Sequence, residues 1–238
     1  MIDLHTHSSM SDGTFTPEAL VDLALETGLG ALALTDHDSL AGVERAAARA
    51  RGTRLVLVAG VELEIARDTG EFHLLGLGLD GDRAELEQAL TRVRRDRDVR
   101  NAKMIDRLAA SGIPVTLEEL VAVSGGGIVS RAHFARLLVQ KGVVKRTDDA
   151  FARYIGKGRP FYEPRRTLGL PEAVRLVRRA GGIASVAHPL TLGLAGPALR
   201  QFLAHARDAG VAAIEAWHPK AAVRDCRRLE RLAASLGL

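Results

Sequence analysis

The chain has only one cysteine, Cys226, in 238 residues, so no internal disulfide can form. It lies in the charged run Arg224-Asp225-Cys226-Arg227-Arg228 and reads as a bystander thiol rather than a nucleophile. Aromatic residues make up 4% of the chain, too few for the exposed rings on which an RNA-binding platform stacks bases. No apolar run approaches the roughly 18 residues of a membrane span. Met1 leads into Ile2-Asp3-Leu4-His5 without a basic, apolar leader, so a cytoplasmic protein without membrane contact is expected. There is no zinc-finger spacing, no RRM signature and no glycine-rich P-loop. Duplex-specific or sequence-specific nucleic-acid binding and use of nucleoside triphosphates are therefore disfavoured.

What is present is aliphatic and alternating. Hydrophobic residues form 47% and charged residues 26%, with 33 Lys plus Arg against 29 Asp plus Glu, a net +4 that suits an anionic substrate without proving one. Ile2 to His5, Ala31 to Thr35, Leu55 to Leu63, Phe72 to Leu79, Gly182 to Ala187 and Val211 to Ala216 read as six parallel strands. Helices intervene after Thr16-Pro17, from Ser39 to Arg51, and over Pro171 to Ala180, Pro197 to Ala209 and Lys220 to Leu236; a turn is expected over Asp68 to Gly70. This is the signature of an α/β fold built from βα units. The arginine-rich helical stretch from Asp82, the capping box Thr116 with Glu119, and the helix opening at Ser130 carry no convincing strand from about residue 98 to 165. The chain thus divides into a first barrel part over 1–97, a helical insertion over 98–165 and a second barrel part over 166–238.

Histidine is scarce, at eight residues, and His5, His37, His188 and His218 fall at strand ends, as does Glu62. In βα barrels those ends meet around one mouth, where the working residues sit. His5-Thr6-His7 alternates so that both imidazoles can share one side. Taken singly, Asp12 reads as a turn-former and His73 as a core histidine. Thr35-Asp36-His37-Asp38 ends an apolar strand with carboxylates that are costly to bury without a cation or partners. His37 is the ligand of choice there, with Asp36 or Asp38 orienting it from behind. Glu62 is ranked before Glu64, which shares its parity. His188 precedes Pro189, which keeps it out of helix, and His218 stands near the site as an orienting or substrate-contacting residue. Together these imidazoles and carboxylates suit manganese, iron or zinc rather than calcium or magnesium.

The ordered set His5-Thr6-His7-Ser8, Ser11-Asp12-Gly13, Thr35-Asp36-His37-Asp38, Gly60-Val61-Glu62, His73 and Ala187-His188-Pro189 resembles the polymerase and histidinol phosphatase (PHP) superfamily. Within it, the chain resembles the small phosphoesterases that act on nucleotides, 3′,5′-nucleoside bisphosphate phosphatases and 5′-to-3′ exoribonucleases. The resemblance implies a distorted (β/α)7-type PHP barrel with a helical insertion, holding two or three divalent metal ions, manganese first, zinc or iron next. It places His5, His7 and Glu62 on one metal, with Glu62 bridging to a second held by His73 and His188. Asp12 and His37 take a third and stand close enough to the reaction to touch substrate. The family's last strand, ending in an Asp-x-His motif, has no counterpart here. A barrel lacking that strand is expected, monomeric if complete and dimerising through exposed edges if not.

Such a centre hydrolyses phosphate esters with a metal-bridged hydroxide and needs no protein nucleophile. The expected substrate is a small phosphorylated nucleotide, either a 3′,5′-nucleoside bisphosphate or the 5′ end of a short single-stranded RNA. Arg97 and Arg100 share a helical face, and Arg131 and His133 open a helix whose amides favour anions. In the resembling phosphatases, residues at matching places contact substrate. A non-catalytic metal- and anion-binding module and a histidinol phosphatase are the competing readings.

Overall fold

The computed structural model describes residues 1–67 and 71–238, so the turn expected over Asp68 to Gly70 lies outside the described residues. Six strands form one mixed sheet in the order β1-β2-β3-β4-β5-β6, curled into a half-barrel with β1 and β6 at its edges. They are β1 (Ile2–Thr6), β2 (Ala31–Leu34), β3 (Val56–Glu64), β4 (His73–Leu77), β5 (Ile183–Val186) and β6 (Ala213–Ile214). β1, β2 and β3 pair in parallel, as do β5 and β6.

The expectation of six parallel strands fails at β4. It runs antiparallel to β3, with Glu62 opposite Leu75, and antiparallel to β5, with Leu75 opposite Ser185. Only residues 65–72 separate β3 from β4, too few for a helical crossover, so the chain turns back as a hairpin. Glu64 is thereby set opposite His73. β6 is also shorter than the apolar run that announced it.

α1 (Pro17–Glu26) begins as expected, with Thr16 Oγ1 accepting from Ala19 N and proline in the first turn. α2 (Val43–Ala50) starts later than Ser39, which instead accepts from Ala41 N in a preceding turn. α3 (Ala84–Ala110) runs unbroken across the expected start of the insertion. Its buried face carries Leu86, Leu90 and Val93 in the barrel half, and Met104 and Leu108 further on. Those last two join a separate apolar cluster with Leu120, Phe134, Leu138 and Ile155. That cluster is closed by α4 (Leu117–Ser124), α5 (Arg131–Gln140), α6 (Thr147–Ala150) and a π turn over Phe151–Ile155. No strand occurs among the described residues of 98–165.

The insertion rests on the mouth of the half-barrel through backbone. Ile128 N donates to Met10 O, and a Cβ on Gly127 would stand 2.1 Å from Ser9 O, so the approach requires glycine. The barrel then resumes with α7 (Leu170–Arg179), β5, α8 (Gly196–Asp208), β6 and α9 (Val223–Leu236). No described helix is long and apolar enough to cross a membrane.

A candidate metal centre beside an anion cage

Glu62, 1% exposed at the end of β3, is the hub of the strand-end cluster. Its Oε2 lies 3.2 Å from His5 Nε2, 3.1 Å from His7 Nε2 and 3.3 Å from His37 Nδ1. Its Oε1 lies 2.8 Å from His73 Nδ1 and 2.9 Å from His188 Nε2. Asp12 approaches from the other side of two of these rings, 3.5 Å from His7 Nδ1 and 3.7 Å from His37 Nε2. The fold brings together all seven residues expected to be ligands, from β1, the loop after it, the ends of β2 and β3, the start of β4 and the end of β5.

One carboxylate cannot satisfy five imidazoles, and His5 Nε2 and His7 Nε2 face each other at 3.1 Å. Imidazoles and a carboxylate brought this close suit a cation among them. The separations of 3.1 to 3.3 Å among the donors on Oε2 fit one. A coordination shell with bonds of about 2.0–2.2 Å has edges of roughly 3.0–3.4 Å. Donor atoms of His5, Glu62 and His188 lie within 4.8 Å of one another, and so do those of His7, His37 and Glu62. These groupings cut across the partition implied by the family resemblance, while keeping Glu62 as the shared carboxylate. Burial alone would raise the Glu62 carboxyl, but the imidazoles of His37 and His73 hold it well below the usual range. Burial pushes His37 down to about 4.

Asp36 does not orient His37. Its Oδ1 accepts from Ser8 N at 2.8 Å and Ser11 Oγ at 2.6 Å, and its Oδ2 accepts from Ser8 Oγ at 2.6 Å. Buried at the end of β2, it ties down the loop that carries Asp12, because the serine donors of that loop lie nearer than the imidazole. His218 stands beside the cluster, its ring 6.0 Å from that of His188, with Nδ1 accepting from Lys220 N. Sequence reasoning missed Glu215, whose carboxylate lies 3.2 Å from His5 Nδ1. The strand-end rule that picked out His188 would also have found it.

Next to the imidazoles is a cluster of opposite character. Arg97 and Arg100 sit on the buried face of α3, not on a solvated one. Arg97 pairs with Asp38, and Arg165 donates to Asp38 Oδ2 at 2.9 Å and Glu64 Oε2 at 2.8 Å. Arg131 pairs with Glu71 and lies over the Tyr162 ring at 5.5 Å. Burial would raise Asp38 and Glu64, yet the guanidinium groups of Arg97 and Arg165 for the first, and of Arg165 and Arg131 for the second, hold both low. Arg165 carried no local sequence signal, since only the return of the insertion beside β3 places it here.

The donors of this cluster outnumber its acceptors. Arg97 Nε, Arg100 Nη2, Arg165 Nε and Nη1, and His133 Nε2 are buried without a hydrogen-bond partner. Burial and the charges of Arg97, Arg131 and Arg165 push Arg100 down to about 9. Burial and Arg136 push His133 down to about 4, so its ring is neutral at pH 7. His133 Nδ1 accepts from Ser130 N at 2.9 Å, which leaves the proton on Nε2. Unpartnered buried N–H groups are costly, and an anion would satisfy them.

Half-buried imidazoles around a buried carboxylate, at the mouth of a half-barrel, are the arrangement of a candidate metal-dependent hydrolase. The chain belongs to the PHP domain family, whose pattern matches residues 3–157. It is 35% identical to a 5′-3′ exoribonuclease of Haemophilus influenzae over 84% of this chain and 73% of that protein. It is 36% identical to a 3′,5′-nucleoside bisphosphate phosphatase of Chromobacterium violaceum over 79% of this chain and 66% of that one. A solved amidohydrolase of Chromobacterium violaceum, holding sulfate and no metal, superposes with a TM-score of 0.92 at 33% identity, covering 100% of this chain and 84% of that chain. A solved metal-dependent phosphoesterase of Bifidobacterium adolescentis gives 0.87 at 28% identity, covering 100% and 84%. The chain is accordingly a hydrolase of phosphoric esters dependent on divalent metal.

Proposed function

We propose that the chain hydrolyses a phosphate ester of a nucleotide bearing a second phosphate, either a 3′,5′-nucleoside bisphosphate or the 5′ end of a short single-stranded RNA. The observation that carries this reading is the adjacency of two clusters, one of imidazoles converging on a buried carboxylate and one of buried N–H donors without partners among the described residues. They share β3 and the end of β2, because Glu62 and Glu64 are two residues apart and His37 adjoins Asp38. A substrate with one phosphate would engage one cluster and leave the other unsatisfied. The relatives named for bisphosphate and RNA hydrolysis support the same reading.

His5, His7, Asp12, His37, Glu62, His73 and His188 would hold two or three divalent ions, with manganese the first choice and zinc or iron alternatives. Such ions activate water and polarise the phosphoryl oxygens. Asp12 and His37 stand where they can touch the reacting phosphate. Arg97, Arg100, Arg165 and the His133 N–H grip the second phosphate, with Arg131 at the rim of that cage. The forked guanidinium donors suit its oxygens, and their preset geometry orients the ester. The insertion over 98–165 acts as a cap that narrows the mouth to single nucleotides and frayed ends.

The test is turnover with added manganese of adenosine 3′,5′-bisphosphate, a short 5′-phosphorylated RNA, adenosine monophosphate and histidinol phosphate. Preference for the first two by at least tenfold in kcat/KM is expected. Equal turnover of the monophosphate would refute the role of the cage, and preference for histidinol phosphate would refute the nucleotide assignment. Metal bound without turnover of any ester would leave a binding module.

A further inference from the structure

Glu215 touches two of the candidate ligands at once, from the opposite edge of the sheet. It follows β6, where its N donates to Val186 O at 2.8 Å and pins it beside β5. Both of its carboxylate oxygens lie 3.2 Å from His5 Nδ1, and His5 belongs to β1. Since β1 and β6 are the two edges of the half-barrel, this carboxylate reaches across its seam. Oε2 also accepts the backbone N–H of His188 at 2.5 Å.

Both contacts bear on His5, Glu62 and His188, whose donor atoms already converge. A carboxylate only accepts, so His5 must carry a proton on Nδ1, and Nε2 is then the nitrogen that would meet an ion held with Glu62. His188 has φ 27° and ψ 63°, a conformation that a residue with a side chain adopts only when its surroundings hold it there. Glu215 holds its N–H, and Thr191 N donates to its carbonyl at 2.9 Å. The His188 ring then delivers Nε2 to Glu62.

We infer that Glu215 is a positioning residue of the metal centre, fixing the tautomer of His5 and the strained backbone of His188 so that both present Nε2 to one ion. This rests on the metal reading of the cluster. A purely architectural role, closing the seam between β1 and β6, is the competing account.

Glu215→Gln separates the two, because the amide keeps the volume but must offer an N–H2 to one of two groups that are both donors. Zinc affinity, measured by competition with a chelator in wild type and variant, should fall about 10–100-fold, the usual cost of losing a carboxylate behind a ligating imidazole. In the zinc-loaded variant, nitrogen NMR should show His5 leaving the Nδ1–H tautomer expected of the zinc-loaded wild type. A variant with a lowered Tm but unchanged zinc affinity and unchanged His5 tautomer would leave only the architectural role and overturn the inference. If the variant does not fold, the zinc-loaded wild type decides: an Nδ1–H tautomer at His5 supports the inference, and an Nε2–H tautomer overturns it. A wild type that binds no zinc would instead defeat the metal reading beneath it.

Discussion

The imidazole cluster and the guanidinium cage stand side by side and are opposite in character. Around Glu62, five imidazole rings converge on one carboxylate, and two of their nitrogens meet at 3.1 Å. Around Asp38 and Glu64, arginines crowd the same carboxylate oxygens and, among the described residues, still leave N–H groups without partners. A core optimised for stability would do neither, since each unsatisfied polar group costs free energy. The first cluster suits a cation and the second an anion. A phosphate ester with metal at one end and guanidinium at the other supplies both, so the comparison reads out chemistry that neither cluster states alone. The junction between them is strained as well: Asp38, held by Arg97 and Arg165, has φ 50°.

The sharpest way to break the comparison is at the hub. Glu62→Gln should cost roughly 10³-fold or more in kcat/KM, the several kcal/mol that metal charge stabilisation supplies. Metal content by elemental analysis should fall with it, while the cage still binds inorganic sulfate. A variant that retained its metal and its rate would remove Glu62 from the centre.

Within the cage, two arginines should behave oppositely. Arg165→Met strips Glu64 of its direct cation and leaves Asp38 with Arg97 alone, and breaking such buried pairs costs about 3–5 kcal/mol, readable by denaturant titration. Among the described residues Arg100 has no carboxylate partner, its Nε donating to Asn101 Oδ1, and its charge is opposed by three neighbouring guanidinium groups. Arg100→Met should therefore leave stability unchanged or raise it in anion-free buffer, yet weaken anion binding. For wild type, sulfate at about 30 times its dissociation constant should stabilise by about 2 kcal/mol, and the Arg100 variant should show less. Equal loss of stability at both positions would mean that the cage is a structural ion-pair network rather than a site.

Much of this was legible in the residues. His5, His7, His37 and His188 lie at strand ends, and that regularity exposes the mouth of a barrel without knowledge of pairing. Strand direction was less legible. An apolar run such as Phe72 to Leu79 looks alike in either sense, and the short connection from β3 to β4 was the overlooked clue to the antiparallel hairpin. Asp36 was misassigned because adjacency to His37 in sequence is not adjacency of side chains at a strand end, where neighbours point to opposite faces. Arg165 was invisible because its partners, Asp38 and Glu64, are 127 and 101 residues away. Long-range ion pairs leave no periodicity to read, whereas caps and strand ends are local and do.

The smallest expected effect tests whether the cap matters as a surface or as a stability unit. Thr116 Oγ1 accepts from Glu119 N at 3.2 Å, Glu119 Oε2 accepts from Thr116 N at 2.9 Å, and Glu119 Oε1 pairs with Lys141 at 2.6 Å. This capping box starts α4 and links it to the end of α5, within the apolar cluster of the insertion and away from both buried polar clusters. Thr116→Ala should cost about 1 kcal/mol, measured by thermal or denaturant unfolding. Zinc affinity and kcat should not change, because no residue of either cluster is anchored by Thr116. A change in KM for the bisphosphate at unchanged kcat would show that the cap must be locally stable to hold Arg131 and His133 over the substrate, making stability of the insertion part of recognition.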